Sequence, residues 1–104
     1  MRVNARAHRF GIQMQLRYRL YGESGWRKGT TENVSYSGVL FRAEGFAEPN
    51  TLLDMRLVLP DEIPGVRSAE VHCRGVVVRS EPPKGAEAFP ALASTISQYR
   101  FIRP

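Results

Sequence analysis

At 104 residues, 42% hydrophobic and 24% charged, the chain is long enough for one domain with a single modest core and too apolar for disorder. One cysteine, Cys73, excludes an internal disulfide and a cysteine-based metal cluster, and no apolar run approaches the roughly 18 residues that span a bilayer. A formal net charge of +5 suits an anionic partner, although charge alone does not choose between a nucleotide, a nucleic acid and plain solvation.

The chain opens on a basic stretch in which Arg2, Arg6 and Arg9 surround His8, and residues 1–10 are expected to form a flexible basic arm. From Ile12 to Leu20 apolar and polar residues alternate, the pattern of a strand with one buried and one wet face. Gly22-Glu23-Ser24-Gly25 breaks it, and Trp26 to Thr31 returns as the next strand. A polar turn around Asn33 leads into Val39-Leu40-Phe41, a short run of strand formers. Gly45 to Asn50 reads as a loop. Leu53, Met55, Leu57 and Leu59 then mark a half-buried strand that stops at Pro60. After a turn over residues 61–65, Ala69, Val71, Cys73, Gly75 and Val77 alternate with Glu70, His72, Arg74 and Val76 until Pro82-Pro83 ends the strand.

Leu92, Ile96 and Tyr99 have helical spacing, but Thr95-Ile96 and Tyr99-Arg100-Phe101 favour strand. The stretch is read as a closing strand from Leu92 to Ile96, followed by an aromatic tail packed over the molecule. No repeat and no dividing linker occurs, so residues 1–104 are read as a single domain. Short strands separated by Gly and Pro turns imply an all-β sandwich or small barrel of about six strands.

The turn Asn33-Val34-Ser35-Tyr36-Ser37-Gly38 concentrates groups that hold a tight bend: short polar side chains that bond nearby backbone, and a glycine free to take positive φ or to let a backbone or ligand come close. Taken alone, these residues describe a turn in any fold. The stretch also resembles the (Asp/Asn)-x-Ser-x-x-Gly motif of PilZ domains, and Arg74-Gly75-Val76-Val77-Val78-Arg79 is similar to the family's (Arg/Lys)-Gly-x-Val-Val-Arg strand. The order of parts along nearly the whole chain matches as well.

This resemblance implies a small six-stranded antiparallel β-barrel, the PilZ-like split barrel, serving as a signalling receptor module for cyclic di-GMP. In the family the ligand is held by that turn together with an Arg-x-x-x-Arg motif just before the first strand. Here Arg2-Val3-Asn4-Ala5-Arg6 has the spacing but lies further from the first strand. Counting back from Ile12, the second family arginine falls on Arg9 and its partner position on Ala5, with Arg6 one residue off. The resemblance therefore implies a ligand set of Arg6, Arg9, Asn33, Ser35 and Gly38. The chemistry suits cyclic di-GMP, because an arginine fork pairs in two places with a phosphate or with guanine O6 and N7. The alternative is a barrel that has kept the fold, lost the nucleotide and acts as a protein–protein interaction domain, with the aromatic tail Tyr99 to Ile102 as a contact.

Little in the sequence supports catalysis. His8 and His72 have no metal-like or catalytic partner, Asp61 and Glu62 diverge on a turn, and no Ser/His/Asp order, phosphate-cradling loop or HExxH pair is present. The chain is read as a non-enzyme with no metal and no cofactor. Cys73 shares the phase of Val71 and Gly75 and is expected to be a buried apolar residue. Trp26 is expected to pack at the barrel rim. Basic charge with Trp26, Tyr18 and Tyr21 suggests single-stranded nucleic acid, but acidic residues are spread throughout and nucleic acid is not the expected partner. Without a signal-peptide core or a spanning segment, cytoplasmic residence is expected.

Overall fold

The computed structural model describes residues 11, 13–59, 70–83, 85 and 89–102. Seven strands follow one another: β1 (Gln15–Leu20), β2 (Arg27–Val34), β3 (Gly38–Ala43), β4 (Leu52–Val58), β5 (Glu70–Glu81), β6 (Ala91–Thr95) and β7 (Ser97–Ile102). All pairings are antiparallel. The sheet runs β4-β1-β2-β3-β6-β5, and the additional β4–β5 pairing closes these six strands into a barrel. This is the expected architecture with one strand more.

That extra strand is β7, which corrects the reading of an aromatic tail packed over the barrel. All six of its residues are exposed. The reason lies in the length of β5. One edge of β5 pairs with β4 from Glu70 to Val76. On the other edge β6 covers only Val77 to Glu81, leaving Glu70 to Arg74 open, and β7 fills that gap. Ile96 alone separates β6 from β7, and Gln98, the second residue of β7, takes φ 55°.

The core follows the alternation read from the sequence. Leu16 and Tyr18 of β1, Phe41 of β3, Leu53 and Met55 of β4, Val77 of β5 and Leu92 of β6 are all essentially inaccessible. Tyr18 and Phe41 pack with ring centroids 5.2 Å apart. The buried phenol of Tyr18 is satisfied twice by one residue: it donates to the Gly45 carbonyl at 2.7 Å and accepts from the Gly45 amide at 2.8 Å. Regular pairing of β1 starts at Gln15, later than the sequence pattern suggests. Met14 is instead tied by its amide to Thr31 Oγ1 and by its carbonyl to the Thr31 amide.

Cys73 lies in this core as expected, and burial pushes its thiol up to about 11. A raised pKa in the folded state stabilises the barrel below the unfolded value of 9.0, and that contribution is lost as pH climbs through 11. The urea midpoint is therefore expected to fall between pH 9 and 11, by the equivalent of about 2 kcal/mol. Tyr18, also raised by burial, adds to the fall. A Cys73→Ala variant should lose less over the same interval, and equal slopes for the two proteins would sink the assignment.

Candidate functional site

Strict alternation would send Asn33 inward, because Thr31 two residues earlier is buried in the core. It does not point there. Thr31 pairs with Phe41 while Asn33 pairs with Leu40, so Glu32 is an extra residue in β2 and the strand bulges. After the bulge Asn33 shares the outer face with Leu40. The same happens in β5, where buried Val77 pairs with Ser94 and Arg79 pairs with Ala93, making Val78 the extra residue. Leu40 and Ala93 are themselves partners. The two bulges thus set Asn33, Leu40, Ala93 and Arg79 in one row across β2, β3, β6 and β5. Asn33 and Arg79 stand at the ends, about 14 Å apart at the ~4.8 Å spacing of paired strands. Leu40 and small Ala93 form the floor.

These residues line a cleft of about 230 Å³, together with Ser35, Ser37, Gly38, Ser94 and Thr95. That is below the roughly 300–1,000 Å³ of a cleft that encloses a drug-sized ligand, so the cleft is a shallow one. The Asn33 side chain has no hydrogen-bond partner among the described residues, and its amide both donates and accepts. The Arg79 side chain is 63% exposed and makes one loose ion pair with Glu81 at 3.6 Å, a contact worth little in solvent. Both groups keep hydrogen-bonding capacity that the described residues leave unused.

The turn beside them is built differently from its sequence reading. It begins only at Ser35, because Asn33 and Val34 belong to β2. The Ser35 hydroxyl accepts from the Gly38 amide at 3.1 Å and from the Ser37 amide at 3.3 Å, and the Ser35 amide donates to the Gly38 carbonyl at 2.8 Å. Ser35 is occupied in shaping the turn. Gly38 does not use positive φ, which among the described glycines belongs to Gly22. What Gly38 supplies is the close approach: a Cβ there would sit 3.3 Å from the Ser94 carbonyl of the paired strand. The Ser37 carbonyl also accepts from the Ile96 amide at 2.9 Å, tying the turn to the junction of β6 and β7.

Of the candidate residues, Asn33, Ser35 and Gly38 come together at this cleft, while Arg6 and Arg9 lie outside the described residues. Sequence reasoning missed Arg79. The motif that ends on it was visible, but alternation from Cys73 and Val77 places it inside the barrel, and only the bulge turns it out.

The family model for the PilZ domain matches residues 3–93. The chain belongs to the PilZ family. Both motifs of this PilZ chain thus meet at one cleft, the turn from one side and Arg79 from the other. A solved structure of the Bacillus subtilis inhibitor of motility (MotI/DgrA) is similar to the PilZ chain with a TM-score of 0.71 at 14% identity. The match covers 93% of this chain and 44% of that one, so the PilZ chain spans less than half of the motility inhibitor, and the likeness is one of fold. No curated protein matches the chain. Among the described residues, no three His, Cys, Asp or Glu side chains converge on a metal-sized site, and no helix is long and apolar enough to cross a membrane.

Proposed function

We propose that this PilZ domain is a cytoplasmic receptor module for cyclic di-GMP, with Asn33 and Arg79 as the two ends of its binding face. The supporting observation is the pair of bulges, which aim the Asn33 amide and the loosely paired Arg79 guanidinium over one floor of Leu40 and Ala93. Bulges commonly re-aim side chains next to functional sites. Arg79 would pair through its fork with a phosphate or with guanine O6 and N7, and Asn33 would donate to and accept from the other base or phosphate. Ser35 and Gly38 keep the turn in place beneath the ligand. Arg6 and Arg9 are assigned to close over the uncovered side, which fits a cleft too small to enclose a dinucleotide. The output is a changed surface for a protein partner.

Titration calorimetry with cyclic di-GMP, with GTP as control, tests the reading. Specific binding at micromolar affinity or tighter, about −8 kcal/mol, is the expected result. No heat at saturating ligand overturns it. The barrel would then act as a protein-interaction domain, the reading that the exposed Tyr99, Phe101 and Ile102 of β7 favour.

A further inference from the structure

The outer face on the other side of the barrel carries a feature that the nucleotide cleft does not use. In register across five neighbouring strands stand Lys28 of β2, Arg17 of β1, Arg56 of β4, His72 of β5 and Arg100 of β7. Each is the direct cross-strand partner of the next, so all point outward from one face. At ~4.8 Å between strands the row is about 19 Å long. Like charges placed opposite one another are destabilising, which makes the direct pairs Lys28–Arg17 and Arg17–Arg56 costly to the fold.

Carboxylates offset the run only in part. Glu70 takes Arg56 through paired hydrogen bonds of 2.8 and 3.0 Å and also His72 at 3.0 Å. Asp54, in the adjoining row, is shared by Arg19 and Arg74 at 3.3 Å each. Glu44 bonds the Lys28 backbone amide and leaves its ammonium alone. Lys28, Arg17 and Arg100 make no ion pair among the described residues. Two guanidinium groups on this face are also held in place. Those of Arg19 and Arg56 lie 4.3 and 5.3 Å from the ring centre of Trp26, so part of the entropy of ordering them is already lost before any partner arrives.

We infer that this row docks an acidic polypeptide segment of a partner protein, lying across the strands of β2, β1, β4, β5 and β7. About six extended residues cover its length. Charge complementarity selects an anion, and the aromatic side chains select a polypeptide over single-stranded nucleic acid. A stacking surface needs open ring faces. Here Trp26 carries two guanidinium groups, Arg74 lies over Tyr21 at 5.5 Å, and Tyr18 is buried in the core. The inference is independent of whether the cleft on the opposite side holds a nucleotide.

Fluorescence anisotropy with a labelled deca-glutamate peptide in 50 mM salt provides the test. The double variant Arg17→Ala/Arg100→Ala is expected to bind at least tenfold more weakly than the unaltered protein. Arg27→Ala/Arg79→Ala removes the same charge away from the row and should change peptide affinity less than twofold. Arg17→Lys/Arg100→Lys should retain binding. Equal losses in the two alanine variants would mean diffuse attraction to a basic protein and would overturn the docking row. So would the absence of peptide binding. Tighter binding of a deca-thymidine oligonucleotide than of the peptide, lost on Arg17→Ala/Arg100→Ala, would reassign the face to nucleic acid.

Discussion

Replacing Gly75 with alanine is expected to be the most damaging single change in the barrel. Gly75 sits where β5 leaves β4 and meets the end of β6. An added Cβ would collide with the Thr95 carbonyl and Ser94 Oγ, and would lie 2.8 Å from Met55 Cε. Met55 can shift its flexible end, but a backbone carbonyl in a closed sheet cannot. Relief would require β5 and β6 to separate at the seam that closes the ring. Overpacking in a firm core costs about 1–3 kcal/mol, and a backbone collision belongs at or above the upper end. For a domain of this size that lowers the thermal midpoint by about 12 °C or more. Gly25 is the matched control, since nothing lies within 4 Å of a Cβ built there. Gly25→Ala should stay within about 0.5 kcal/mol of the parent. A Gly75→Ala protein that melted with the parent would show that the seam has slack the structure lacks.

Arg79→Ala and Asn33→Ala are each expected to weaken cyclic di-GMP at least tenfold. Hydrogen bonds to a charged group are worth about 1.5–3 kcal/mol, which corresponds to about ten- to 150-fold in affinity. Neither residue supports the core, so both variants should melt with the parent protein. The two side chains do not touch, and their effects should add to within about 0.5 kcal/mol in the double variant. Arg79→Lys keeps the charge but loses the planar fork, and should recover only part of the affinity. Ser35→Ala provides the contrast. Its hydroxyl already bonds Gly38 and Ser37, so any loss of affinity there should come with altered amide signals across residues 35–38. Unchanged affinity in Arg79→Ala would remove Arg79 from the site and leave the turn as an element of the fold alone.

The strands and their inward faces were legible from neighbours in the chain. Alternation marked Leu16, Tyr18, Met55, Cys73 and Val77 as core, and all are buried. The turn chemistry of Asn33 to Gly38 and the strand from Arg74 to Arg79 carried the family, because both motifs are short and local. Gly38 was recognised for the right reason in part: the structure uses its missing side chain and leaves its freedom at positive φ unused. The last strand was half legible. Tyr99-Arg100-Phe101 had strand character, but its partner was an open length of β5 that exists only because β6 is short.

By itself, then, the sequence determined an all-β chain, the residues that face its core and its membership of the PilZ family. Those properties depend on period-two alternation and on bends a few residues long. Tertiary structure alone decided that Asn33 and Arg79 face the same cleft, and that five basic side chains from five strands form one row. One extra residue in a strand turns every later side chain to the opposite face, and whether a residue is extra depends on the partner strand. Partners such as Arg79 and Ala93, or Arg56 and Arg17, join stretches far apart in the chain, which no local pattern encodes.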